Sequence, residues 1–211
     1  MRRRMLAGWG AGLLAAALLL GVVLVAVDAG LFGLDSWWNG FVAAYRSDGM
    51  VDFALVLNAI GGGWVAIFAV PLAVVVALLI ARRWRAAVFA AMCFMASAGA
   101  VQLVKHLFGR ARPDGMIVAS DFGSFPSGHT ANAATNACVA VVLIPRVWIA
   151  ILGSCWTVAM ALSRTFLSVH WATDTLGGAL IGSAVVLLLA AWLLPWVRAV
   201  RLLDPTPRSV A

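Results

Sequence analysis

The sequence predicts an all-α protein, a six-helix transmembrane bundle forming one domain over residues 1–211. Three observations predict it. First, 64% of the 211 residues are hydrophobic and only 11% are charged, whereas a soluble domain is roughly half apolar and a quarter charged. The mean hydropathy of +1.02 agrees. Second, apolar runs of spanning length recur along the chain. Third, the basic residues gather on alternate connections between those runs. This composition excludes a soluble enzyme, a disordered chain and a secreted disulfide scaffold. Cys93, Cys138 and Cys155 each sit inside an apolar run, and an odd number of such thiols is no disulfide framework.

The first span covers residues 5–27 and carries no charge. Its alternative is a signal peptide, with Arg2, Arg3 and Arg4 as n-region and Val27-Asp28-Ala29 as cleavage site. The apolar stretch is longer than the usual h-region, which favours a retained helix. Further spans cover residues 61–80, 86–104, 130–144, 147–162 and 176–197. A helix needs about 20 apolar residues to cross the ~30 Å hydrocarbon core. The fourth and fifth spans fall short of this, so their polar ends must help to cross. Between the first two spans, Trp37, Phe41 and Tyr45 recur every four residues on one face, behind Asp35 or Ser36 as cap. This reads as an amphipathic helix in the outer interface, or as aromatic-belt residues in a loop.

Charge placement orients the bundle. With the N-terminus in the cytoplasm, the inner segments hold ten arginines against one aspartate. The outer segments hold five basic residues against seven aspartates. The positive-inside rule then places both termini and the Arg82-Arg83-Trp84-Arg85 turn in the cytoplasm. The formal charge of +7 thus reports topogenic arginines on a multi-pass inner (plasma) membrane protein, not a nucleic-acid footprint.

The polar residues near the membrane cluster in three places on the outer side, and such groups tend to mark function. The first is Lys105 through Arg112 and Pro113, which alone reads equally as a snorkelling basic collar. The second is Pro126-Ser127-Gly128-His129, a helix N-terminus whose free N–H groups and dipole suit an anion, or a plain cap. The third runs from Ser163 and Arg164 to His170 and Asp174. On a helix the last two share a face, so the carboxylate can hold one ring nitrogen and free the other. As a lone pair it reads more often as a structural hydrogen bond.

Together these clusters spell K-x6-R-P, P-S-G-H and S-R-x5-H-x3-D across residues 105–174. The pattern resembles the type 2 phosphatidic acid phosphatases, membrane lipid phosphatases of a superfamily that includes the vanadium haloperoxidases. The resemblance implies roles. His170 would attack phosphorus to form a phosphohistidine, Asp174 would orient it, and His129 would protonate the leaving oxygen. Lys105, Arg112 and Arg164 would hold the phosphate oxygens, with Ser127 and the Gly128 N–H completing the cradle. His106, Arg110, Asp114 and Asp121 lie outside the motifs and read as loop or rim residues, with Arg110→Lys nearly silent.

The chemistry agrees. A phosphoryl group in transfer spreads charge over three oxygens, and guanidinium forks, a lysine and a helix N-terminus can stabilise it without a metal. The sequence suggests no cofactor and no metal site. A fourth span of about 24 Å leaves His129 near the outer headgroup level, where a membrane-anchored phosphate would arrive. The expected function is a lipid phosphatase at the extracytoplasmic leaflet. The candidate substrates are phosphatidate, phosphatidylglycerophosphate and polyprenyl or undecaprenyl diphosphate; its partners are that lipid phosphate and the bilayer. The alternative is a lipid phosphotransferase using the same phosphoenzyme. A transporter is less favoured because the spans carry no mid-depth charge.

Overall fold

The structure is a computed structural model that describes residues 3–26 and 33–198. Among them are eight α-helices and no strand. They are α1 (Arg3–Ala26), α2 (Gly33–Tyr45), α3 (Asp48–Gly61), α4 (Val70–Ile80), α5 (Trp84–Phe108), α6 (Gly128–Leu143), α7 (Val147–Phe166) and α8 (Ala172–Arg198). The Val27-Asp28-Ala29 segment and the chain after Arg198 lie outside the described residues.

Four helices, α1, α5, α7 and α8, are long and apolar enough to cross a membrane, and the bent pair α3–α4 makes a fifth. The six expected spans are thus met in four or five. Helix α6 forms over nearly the expected residues, but its 16 residues make only about 24 Å of helix. The second span departs furthest from expectation. It begins earlier, at Asp48, where Ser47 accepts the Met50 N–H as an N-cap. It then breaks by 44° at Gly61-Gly62-Gly63, where three residues of poor helix propensity meet and Gly63 takes a φ of +54°. A π-helical turn, Val65–Ala69, carries the chain into α4. The Asn132 carboxamide of α6 donates to the Ala66 carbonyl of that turn at 2.9 Å.

Helix α2 forms where the aromatic spacing predicts one, and Trp37, Phe41 and Tyr45 are exposed along it in successive ring contacts. Asp35 does not serve as its cap: it is fully buried and bonded to distant residues.

Helix α8 lies at the centre, packed on α1, α5, α6 and α7. Leu6, Phe89, Phe94, Val139 and Val186 fill one end of the bundle. Leu24, Val101, Val104, Phe125 and Ile181 fill the other. Apolar side chains such as Leu19, Val22, Phe68, Leu72, Ile151 and Leu152 remain on the outside, as a bilayer-facing surface requires. At one end Arg3 lies over Trp192, and Arg85 donates to the Trp196 carbonyl while lying over Trp84 and Trp196. The N-terminus of α1, the α4–α5 turn and the end of α8 therefore share a face. The polar clusters occupy the opposite face.

Two glycines set how closely α6 and α8 approach. A Cβ on Gly178 would lie 2.4 Å from the Ser127 carbonyl oxygen, and one on Gly182 would lie 2.3 Å from that of Ala131. The obstructing atoms are backbone, so neither can swing aside. Gly182→Ala should force the helices apart and cost about 1–3 kcal/mol, as overpacking does. Thermal unfolding in detergent checks this, and an unchanged midpoint would contradict the packing.

Candidate active site

Four helix ends converge on the polar face: the C-termini of α5 and α7 and the N-termini of α6 and α8. Each ends where it does for a local reason. Helix α5 runs four residues past its expected end, to Phe108. It stops on Gly109, whose φ of +53° lets its N–H cap the Lys105 carbonyl. This extension puts Lys105 on the last turn. Helix α6 starts at Gly128 because Ser127 caps it, its hydroxyl accepting from the Thr130 N–H and hydroxyl. Helix α8 starts only at Ala172, so His170 lies in the turn before it and not on a shared helical face. Asp174 is the third residue of α8 and accepts the Trp171 N–H at 2.8 Å, the backward half of a capping box.

The His170 ring is buried between two groups. Its Nδ1 lies 3.5 Å from Asp174 Oδ2, and its Nε2 lies 3.3 Å from an Arg112 nitrogen. Burial pushes the ring's pKa down to about 4, outweighing the opposite pull of Asp174. His170 is therefore neutral at neutral pH, with a ring lone pair available. Asp174 is fully buried and fully engaged. Arg110 donates to its Oδ1 at 2.6 Å, and the Ser124 hydroxyl donates to its Oδ2.

Lys105 and Arg112 face one another across the Asp121 carboxylate, at 3.3 and 2.8 Å. Both also donate to the Gly123 carbonyl. Arg112 further donates to the Val169 carbonyl at 2.5 Å, which ties the loop after α5 to the turn before α8. Burial lowers the Arg112 pKa while Asp121 and Asp174 raise it. Arg164 is buried, bonded through Nη1 to Asn58 Oδ1 of α3 at 2.7 Å, and its Nε has no partner. The His129 Nε2 also has no partner. It lies against the helix break, where a Cβ on Gly62 would be only 2.1 Å away. The positive charges of Arg164, Lys105 and Arg112 all reach the His129 ring.

The structure thus joins Arg112, His170 and Asp174 by direct contacts and Lys105 to Arg112 through Asp121 and the Gly123 carbonyl, with the charges of Lys105, Arg112 and Arg164 reaching His129. Ser127 and Gly128 stand at the start of α6, the Ser127 hydroxyl occupied as a cap. His106 is exposed and bonded to the Gln102 carbonyl, and Asp114 is exposed. Arg110 and Asp121 correct the sequence reading. Arg110 is no rim residue: its side chain is 2% exposed and bridges Asp174 and Asp35. Asp121, although 58% exposed, sits on two of the cations expected to hold phosphate. Asp35, Asn58, Ser124 and Thr173 were not visible as site residues, because each acts through a contact distant in sequence.

The Asp121 carboxylate competes for the cations an anion would need. Asp121→Asn should bind inorganic phosphate about 1.4- to fivefold more tightly, the 0.2–1 kcal/mol typical of a pair with an exposed partner. Titration calorimetry on the detergent-purified protein measures this. Unchanged or weaker affinity would mean that phosphate does not use the Lys105–Arg112 pair.

Comparison with known proteins follows the same residues. A lipid A 1-phosphatase from Porphyromonas gingivalis is 36% identical over 114 residues, 51% of this chain and 23% of that protein. An undecaprenyl-diphosphatase from Sulfolobus acidocaldarius is 38% identical over 60 residues, 28% of this chain and 29% of that protein. The matches therefore span only about a quarter of those curated relatives. The fold is shared with two solved structures. A transmembrane PAP2 type phosphatidylglycerolphosphate phosphatase from Bacillus subtilis superposes with a TM-score of 0.73 and 22% identity, over 85% of this chain and 93% of that one. LpxE from Aquifex aeolicus gives 0.66 and 21%, over 79% and 100%. Residues 86–198, which contain every motif position above, match the PAP2 superfamily, and the chain belongs to that superfamily.

Proposed function

We propose that the protein is a lipid phosphatase that removes phosphate from a membrane-anchored monoester or diphosphate at the extracytoplasmic leaflet, through a phosphohistidine. The observation that carries this reading is the placement of His170: a buried imidazole with one nitrogen toward a fixed carboxylate and the other toward the guanidinium of Arg112.

The steps follow from that placement. The His170 Nε2 lone pair attacks phosphorus, and the bond from phosphorus to the lipid oxygen breaks. The negative charge of the bound phosphate offsets the surrounding cations and favours a protonated His129, which gives its proton to the departing oxygen. The phosphorylated ring is positively charged, and Asp174 offsets that charge. Lys105, Arg112, Arg164 and the first N–H groups of α6 hold the three equatorial oxygens. Neutral His129 then takes a proton from water, whose oxygen attacks phosphorus. The P–N bond breaks and phosphate leaves. An acceptor other than water at this last step would make the enzyme a phosphotransferase.

Two features support a lipid substrate. A cavity of about 170 Å³ lies beside His129, lined mainly by apolar residues including Ile60, Ala66, Val70, Trp156 and Met160. The group that leaves toward His129 is thus offered an apolar shoulder. Its surroundings are helices whose outer faces are apolar. The relatives named for lipid A, undecaprenyl diphosphate and phosphatidylglycerolphosphate supply the substrates to try.

Purified protein should release phosphate from at least one of phosphatidate, phosphatidylglycerophosphate, lipid A and undecaprenyl diphosphate, and should do so in EDTA. Release from soluble esters alone, or only after Mg²⁺ is restored, would overturn the reading.

The two histidines separate by leaving group. A lipid alkoxide needs a proton to leave, whereas p-nitrophenolate barely does. His170→Ala should abolish turnover of both. His129→Ala should lower lipid hydrolysis by roughly 10²–10⁴, the usual worth of general acid–base catalysis, while keeping measurable p-nitrophenyl phosphate cleavage. Equal losses on both esters in His129→Ala would deny it the acid role.

A further inference from the structure

Helix α2 precedes the region that matches the superfamily, yet it places a charge in the site. Asp35 is completely buried and lies 2.7 Å from Arg110 through Oδ2. It also accepts the Thr173 backbone N–H at 2.9 Å and the Thr173 hydroxyl at 2.5 Å. The other arm of Arg110 bonds the same Thr173 hydroxyl at 2.8 Å and Asp174 Oδ1 at 2.6 Å. The guanidinium lies over the Trp171 ring at 5.5 Å. We propose that Asp35 and Arg110 are positioning residues for catalysis, an ion pair that holds Asp174 in place and sets the charge it presents to His170.

The argument is one of geometry and of charge. Arg110 takes Oδ1 of Asp174 and leaves Oδ2 for the Trp171 N–H, Ser124 and the His170 side. The carboxylate is thereby fixed in rotation, with one oxygen committed to each side. Arg110 alone, however, would neutralise the charge that His170 needs when it becomes a phosphorylated cation. Asp35 removes that difficulty. Two carboxylates share one guanidinium, so a net negative charge remains at Asp174. Burying three charges for stability alone is a poor bargain, since apolar residues of similar volume are often as good or better. A chain of alternating charges that ends on the carboxylate facing His170 is explained by what it does there. It also gives α2 a task, because the helix anchors the first member of the chain.

The inference rests on the proposed roles of His170 and Asp174, so the test carries controls for both. Full-length protein in detergent micelles is assayed with whichever of phosphatidate, phosphatidylglycerophosphate, lipid A and undecaprenyl diphosphate the wild type turns over fastest, alongside His170→Ala. Asp35→Asn keeps an oxygen acceptor for Thr173 and removes the charge. Arg110→Gln removes the guanidinium. Each should lower kcat by about tenfold or more with KM within about twofold of wild type, the signature of an interaction realised in the transition state. The double variant Asp35→Asn/Arg110→Gln should be no worse than the poorer single variant, because the two residues act as one unit. It removes both members of the pair together, and Asp174 keeps the Ser124 hydroxyl and the Trp171 N–H, so it carries the test if a single variant fails to fold. Wild-type kcat in the folded variants, KM rising in step with the loss of kcat/KM, or a double loss equal to the product of the single losses would overturn the proposal while leaving the phosphatase reading intact. No phosphate release by wild type from any of the four lipid phosphates, or turnover surviving in His170→Ala, would overturn that reading and the role of the pair with it.

Discussion

The buried carboxylate of Asp174 is the constraint on which the site depends. A carboxylate taken out of water costs several kcal/mol unless every lone pair is met. Here one partner is local and the others come from distant parts of the chain. The Trp171 N–H closes the first turn of α8, Ser124 brings in the loop before α6, and Arg110 brings in the end of α5 and, through Asp35, α2. The Asp174 main chain takes part as well, its carbonyl accepting the Ser127 N–H at 2.9 Å. That bond holds the start of α6, with His129 on it, against the start of α8. Satisfying one charge therefore assembles three motifs that are separate in sequence.

Close helix packing and the polar site are two aspects of one arrangement. Gly178 and Gly182 let α8 approach the backbone of α6, and Gly177 leaves room for the Phe125 ring. The loops at the ends of these helices can then reach one another. At the helix break, Gly62 gives the same freedom to His129. Asn58, one turn earlier, holds Arg164 from α3. The break in the second span thus serves the site twice, once by yielding space and once by orienting a guanidinium. The apolar remainder of α3 and α4 faces outward, as a helix in lipid should.

Much of this was legible in the sequence, for reasons tied to particular residues. The strongest apolar runs became helices near their expected places, since a run of twenty apolar residues has few other stable forms. The motifs located Lys105, Arg112, His170 and Asp174 because their spacings are set by short turns and helix ends. Three things were not legible. Asp35 looked like a helix cap, since nothing local reveals a partner in the α5–α6 loop. Arg110 looked like a rim residue, because a basic residue before a loop is usually solvated. The second span looked to start at Gly61, because Asp48 and Asp52 interrupt the apolar run that α3 adds ahead of the glycines. The first two misses each concern a tertiary contact that overrode a sound local preference.

The central claim, that His170 receives the phosphoryl group in a site held together by Asp174, is tested most directly by covalent trapping. Protein turning over a ³²P-labelled lipid phosphate is quenched in alkali, digested, and its labelled peptide sequenced. The account predicts acid-labile, base-stable label on the peptide containing His170 and none in His170→Ala. Label elsewhere, label surviving in His170→Ala, or steady phosphate release with no label trapped at any quench time would contradict it.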